Sequence, residues 1–240
     1  MAGSIVVLYR GGRLPSWHQL SPDEQVAFQD EHVDLMLTVG ARHGLQSIEG
    51  FRLLAPRGNW ERWWTIRFPD LAGAEAWMRA EVAPPYGRYG SYEYQLARPW
   101  TPPSLAWLPQ RHASKPVADA DPRVVPALSV DRGSIVVIAF GGWERGSDDV
   151  EPTRRGDAER SERLQRVARE HSLIHGEVFR LLGTGPDGDL AWVLEFPTLA
   201  GAEAWIETEG MPPAEAYQRR AFHLAGRWAP HYFATWSCCR

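Results

Sequence analysis

Apolar and polar positions follow the same rhythm twice along the chain. Residues 5–9 (Ile-Val-Val-Leu-Tyr) and 135–140 (Ile-Val-Val-Ile-Ala-Phe) are apolar, largely β-branched runs that stop at Gly-Gly, a pattern that predicts a strand and then a turn. Helices are predicted over 23–43 and about 154–171, the first opened by the start signal Ser21-Pro22-Asp23-Glu24. Second strands follow at 49–54 and 177–182. Gly-containing turns at 57–59 and 185–188 lead into third strands at 60–68 and 190–196. Short Ala-rich helices at 71–79 and 199–208, then strands at 89–97 and 217–225, complete βαββαβ in each half.

The residues repeat as well as the pattern. Gly3-Ser4-Ile5-Val6-Val7 recurs as Gly133-Ser134-Ile135-Val136-Val137, an offset of 130. Phe51-Arg52-Leu53-Leu54 recurs 128 positions on as Phe179-Arg180-Leu181-Leu182. The block from Phe68 to Trp77 matches the block from Phe196 to Trp205 at nine of ten positions. Such self-similarity reads as a tandem duplication. The expected organisation is therefore a repeat over 1–100, a Pro-rich linker over 101–132 and a second repeat over 133–240. The expected fold class is α+β: two tandem ferredoxin-like βαββαβ repeats, whose uncovered sheet faces pack together in an intrachain dimeric α/β-barrel.

The segment Phe68-Pro69-x-Leu71-x-x-Ala74-x-Ala76-Trp77 resembles the third-strand-to-second-helix signature of the dimeric α/β-barrel (ferredoxin-like) superfamily. It looks most like the small bacterial DUF1330 family, whose "Pro-Glu-Tyr-Gln … Arg" segment is similar to Pro212-Pro213-Ala214-Glu215-Ala216-Tyr217-Gln218-Arg219-Arg220 in the second copy. The first copy, Pro84-Pro85-Tyr86-Gly87-Arg88-Tyr89, is looser. The resemblance covers about 30 residues per copy and implies a fold shared by cofactor-independent monooxygenases, isomerases, polyketide cyclases and haem enzymes such as the chlorite dismutases. It implies no reaction by itself.

Composition narrows the classes. Lys+Arg 26 against Asp+Glu 30 leaves a net charge of −4 and a pI near 6.1, so there is no basic field for nucleic acid. No apolar run reaches the roughly 20 residues that a spanning helix needs, and no signal-peptide pattern opens the chain, so no membrane is expected and the compartment reads as cytoplasmic. Cys238 and Cys239, adjacent at the C-terminus, cannot staple a fold. No zinc spacing, Walker loop or nucleophile elbow is present. The expectation is no metal and no cofactor, with haem as the alternative.

Candidate chemistry rests on aromatic, histidine and arginine positions. His43 and His171 align between the copies at helix ends, and read either as proton shuttles or axial haem ligands, or as helix C-terminal histidines favoured by the dipole. Arg52 and Arg180 align too, and either clamp an enolate or pair with Glu49 and Glu177. Trp64 and Trp192 are shared and read as core or pocket wall. The first copy alone carries Trp60, Trp63, Tyr92 and His32 (Arg220 and Arg160 stand at the last two positions in the second), with Tyr94 beside them and Trp17-His18 in a lid-like loop. The aromatics suit a flat apolar ligand, or else cover an exposed strand. In the second copy, Glu195 replaces Arg67 and His223 replaces Gln95, which offers a carboxylate–imidazole general base.

The expected function is a small-molecule enzyme: a cofactor-independent cyclase, isomerase or oxygenase acting on an aromatic or polyketide-like metabolite by proton transfer and enolate stabilisation. Non-enzymatic binding of a hydrophobic ligand and haem binding are the alternatives. The expected partner is a small hydrophobic or aromatic ligand, and the chain is expected as a monomer with an internal pseudo-dimer or as a homodimer.

Overall fold

The computed structural model describes residues 3–109, 117–119, 133–143, 150–185, 188–211 and 217–230. Cys238 and Cys239, the 212–216 part of the DUF1330-like segment and most of the expected linker lie outside the described residues. The strands are β1 (Ile5–Arg13), β2 (Ser47–Arg57), β3 (Trp60–Phe68), β4 (Gly90–Pro99), a short β5 (Val117–Asp119), β6 (Ile135–Trp143), β7 (His175–Gly185), β8 (Gly188–Phe196) and β9 (Tyr217–Pro230). The helices are α1 (Pro22–Arg42), α2 (Leu71–Val82), α3 (Val150–Glu170) and α4 (Leu199–Gly210).

The expected architecture is corrected by the sheet. Its strands are those of an antiparallel β-barrel fold rather than of two separate ferredoxin-like repeats, running β2-β3-β1-β4 in the first half and β7-β8-β6-β9 in the second. The physical reason is edge pairing. A four-stranded sheet leaves two rows of unpaired backbone groups, and closure removes both. Hydrophobic patterning carries no record of which edges join.

A second correction concerns Gly11-Gly12, expected as a turn. β1 runs through both glycines to Arg13, pairing Gly11 with Tyr92 and Gly12 with Ser91. A Cβ on Gly11 would lie 1.8 Å from the Ser91 carbonyl oxygen. The glycine serves close strand approach, not chain reversal.

Two compact units are present. The first holds residues to Arg98 with 117–119 and the last residues of β9; the second holds 99–109 and 133 through Arg227. In the first, β1 is flanked by β3 and β4, and β2 pairs with β3, all antiparallel. One sheet face carries Ile5, Val7, Tyr9, Ile48, Trp64, Ile66 and Phe68, packed with Met36 of α1 and Ala74 and Trp77 of α2. The other carries Val6, Leu8, Phe51, Leu53 and Trp63, none more than 2% exposed. Burial on both faces explains why residues 5–9 read as an unbroken apolar run rather than an alternation. Each large side chain so buried contributes about 1.5–3 kcal/mol.

In the second unit, β6 is flanked by β8 and β9, and β7 pairs with β8. Leu105 and Leu108 of the expected linker are buried there, and Trp107 packs 6.2 Å from Trp205.

Helix starts follow local chemistry. At α1, Ser21 Oγ accepts from the Glu24 backbone N–H at 3.3 Å while Glu24 Oε2 accepts from the Ser21 N–H at 2.7 Å, a complete capping box. Ser21→Ala is expected to cost about 1 kcal/mol and lower the melting midpoint by roughly 2–4 °C. An unchanged midpoint in a calorimetric scan would show that water replaces the cap.

Candidate functional site

The helix-covered face of the first unit encloses a cavity of about 60 Å³, the room of roughly two waters at ~30 Å³ each. Strand register builds its floor. Tyr9 of β1 lies opposite Trp64 of β3 and Tyr94 of β4, and Ile48 of β2 lies opposite Ile66. These positions share one face because side chains alternate along a strand. Helical spacing builds the roof: Gln29, His32, Val33 and Met36 project from one side of α1, Trp77 and Glu81 from one side of α2. Arg13 and Arg62 complete the rim.

Three phenols form a cluster, with Tyr9 stacked on Tyr92 at 5.7 Å and tilted against Tyr94 at 5.5 Å. Burial first, then the nearby Glu81, raises the Tyr9 and Tyr94 hydroxyls far above the usual range, so both stay protonated. Trp77 Nε1 donates to Glu81 Oε2 at 3.0 Å. Burial nevertheless pushes Glu81 up to about 7, against the lowering effect of Trp77 and Tyr94. Tyr94 lies close enough for the two groups to shift one another, yet its hydroxyl makes no hydrogen bond of ordinary geometry. His32 stacks on Tyr86 at 4.5 Å, and burial, aided by the Arg13 guanidinium, pulls it down to about 4. Its Nε2 and the Gln29 Oε1 are buried without hydrogen-bond partners. At neutral pH the cavity thus holds an uncharged imidazole and a carboxyl near its midpoint, an arrangement suited to accepting and returning a proton.

A groove of about 500 Å³ lined by Val82, Pro84, Pro85, Gly87, Arg88 and Tyr92 lies on the same unit, and Tyr92 borders both spaces.

Corresponding positions in the second unit are arranged differently. Arg160, 128 residues beyond His32, binds Glu209, 128 beyond Glu81, through Nε to Oε2 at 2.9 Å and a second bond from Nη2 to Oε1. Its guanidinium lies 5.7 Å from the ring centre of Trp192, the counterpart of Trp64.

Of the residues expected from sequence, His32, Trp64 and Tyr92 line the cavity and Tyr94 adjoins it. Trp17 is 1% exposed, held by Arg13 stacked 3.7 Å above it and by Phe28 and Tyr89, so it anchors its loop; His18 is exposed. Trp63 packs on Phe51 on the opposite sheet face, and Trp60 lies under Arg10. His43 and His171 stand at helix C-termini, outside the cavity walls. A Cβ on Gly73 or Gly201 would lie 3.2 and 3.0 Å from their Cβ atoms, so helix packing explains why both His and Gly repeat. Arg52 is half-buried and Arg180 exposed.

Glu195 is fully buried, but the Ser134 hydroxyl donates to its Oε1 and Arg227 Nε to its Oε2 at 2.8 Å, so both oxygens already have donors. His223, its expected partner, lies edge-on to Phe140, opposite Ile138 rather than Val136.

Sequence reasoning missed Glu81, Tyr9, Gln29, Arg13 and Arg62. The signal for Glu81 was present: a carboxylate repeated at 209 near the end of an Ala-rich helix, while its neighbour across the helices changes from His to Arg.

No helix among the described residues is long and apolar enough to cross a membrane. No protein-family model matches the chain and no curated protein matches its sequence. Solved structures do. A variant of chlorite dismutase from Candidatus Nitrospira defluvii superposes with a TM-score of 0.71 at 11% identity, covering 95% of this chain and 93% of the other. The same enzyme in complex with imidazole gives 0.69 at 12%, covering 97% and 93%. A monooxygenase described as putative, from Lactobacillus acidophilus NCFM, gives 0.50 at 5%, covering 94% of each chain. At such identities the likeness is one of fold, and the chain therefore has a fold like that of these chlorite dismutase structures.

Proposed function

We propose that the protein is a small-molecule enzyme of isomerase type, moving a proton on a conjugated ligand bound in the first unit. The carrying observation is Glu81: a carboxyl held near pH 7 by burial, at the wall of an aromatic cavity. In the forward step a bond to hydrogen in the ligand breaks and the Glu81 carboxylate takes the proton. The electron pair spreads through the ligand's conjugated system, and Glu81 returns the proton to its other end. Tyr94, kept neutral and without a hydrogen-bond partner of ordinary geometry, offers a hydroxyl donor to developing negative charge, while the Tyr9 hydroxyl donates to the Ser91 carbonyl at 3.4 Å. The cavity takes the reacting end; the groove beside Tyr92 takes an apolar body.

The haem that this fold implies does not fit inside the cavity at Glu81. A cavity of about 60 Å³ is far below the roughly 300–1,000 Å³ of ligand pockets. In the second unit the corresponding space is taken by Arg160 against Trp192 and Glu209.

The test is deuterium incorporation at carbon, followed by NMR in D2O across a panel of conjugated ketones, enols and cyclic enamines. At least one member is expected to exchange under catalysis, and Glu81→Gln to slow that exchange by about 10²-fold or more. Exchange indifferent to Glu81, or tight binding without exchange by any member, overturns the reading.

A further inference from the structure

The two units hold one device in two states. In the second, a planar guanidinium sits between helix and sheet, 5.7 Å from the ring centre of Trp192 and bound by two donors to Glu209. In the first, Trp64 and Glu81 stand at the same places, but the helix offers the shorter His32, which turns onto Tyr86. The space remains as the cavity.

We infer that this cavity receives the planar N–C–N cation of a ligand, a guanidinium or amidinium head, in the place that Arg160 fills in the second unit. The inference rests on the reading of this cavity as the ligand site and goes beyond it by naming a cation that the site would hold.

Three further observations carry it. The buried unpartnered atoms on residues lining the space include Gln29 Oε1, an acceptor, and the Nε2 of a neutral His32, an acceptor in the Nδ1–H tautomer; together with Glu81 they match a head that only donates. Trp64 offers an aromatic face for a cation, as Trp192 does for Arg160. The volume, about 60 Å³, suits a head of a few heavy atoms. Arg13 and Arg62 also border the cavity, but each has its own charge or aromatic partner: Arg13 lies over Trp17, and Arg62 pairs with Glu61 at 2.9 Å and lies over Trp228.

The experiment is a ligand-observed NMR titration of the full chain with methylguanidinium and, as neutral isostere, methylurea. Wild type is expected to bind the cation at least tenfold more tightly than the urea. Glu81→Gln should abolish that preference. His32→Arg should abolish cation binding and raise the melting temperature, because its own guanidinium takes the place, as at 160. Circular dichroism verifies folding, and Glu81→Gln keeps the test readable should His32→Arg fold poorly. Equal binding of the two probes, or wild-type cation binding in both variants, overturns the inference. Glu81-dependent carbon exchange without methylguanidinium binding removes this ligand class and leaves the proton-transfer reading standing; loss of both removes both.

Discussion

Arg160→Met is expected to destabilise the protein by about 3–5 kcal/mol, lowering its melting midpoint by roughly 10 °C. Arg160 and Glu209 are 8% and 6% exposed, so neither can turn to solvent without moving a helix. The pair is held by two charge-assisted hydrogen bonds, and the guanidinium also covers Trp192. Removing the cation leaves a buried carboxylate without its two charge-assisted donors. The cost is therefore that of the orphaned charge more than of the lost attraction. For the same reason Arg160→Met combined with Glu209→Leu is expected to recover most of the loss. Denaturant titration of the single and double variants checks both statements, and a double variant as unstable as the single one would show that packing, not the stranded carboxylate, sets the cost.

Stability against pH carries the second large effect, visible only when the two groups are separated. Glu81 rises from its ordinary 4.5 to about 7 on folding. The folded state thus holds a proton that the unfolded state releases, so the favourable condition exists below pH 4.5 and is lost as pH rises to about 7. His32 falls from 6.5 to about 4, so its contribution is full above pH 6.5 and is lost as pH falls towards 4. Each is worth about 3 kcal/mol across its window. The windows nearly coincide and the slopes oppose, so wild type should show little net slope from this pair. Glu81→Gln should expose the histidine, with stability rising by about 3 kcal/mol relative to wild type between pH 4 and 6.5. His32→Gln should expose the acid, with stability falling by a similar amount between pH 4.5 and 7. Urea midpoints at several pH values decide; variants running parallel to wild type at every pH would mean that neither group is perturbed.

Local elements were legible because their causes are local. Ser21 and Glu24 announced the start of α1, and the apolar runs announced β1 and β6 within a few residues. The Gly11-Gly12 pair misled because the same residue type serves both turns and close strand approach; only the position of the Ser91 carbonyl tells them apart. The candidate site was half legible. Differences between the halves singled out His32 and Tyr92, both of which line the cavity, whereas Trp64, which also lines it, is shared and read as core or pocket wall. The repeated His43 and His171 proved to be helix-end residues packed beside Gly73 and Gly201, since repetition marks shared packing as readily as shared chemistry.

The sequence by itself determined the order of elements and the α+β class, both of which depend on neighbours along the chain. Tertiary structure alone decided that β1 runs on through Gly11 and Gly12 beside β4, and that Glu195 answers Arg227 and Ser134. It alone decided, too, that Glu81 meets Tyr9, Trp77 and His32 in one cavity while Glu209 is closed by Arg160. Those outcomes depend on distances across the fold and on how completely water is excluded, and neither quantity is written in residue spacing.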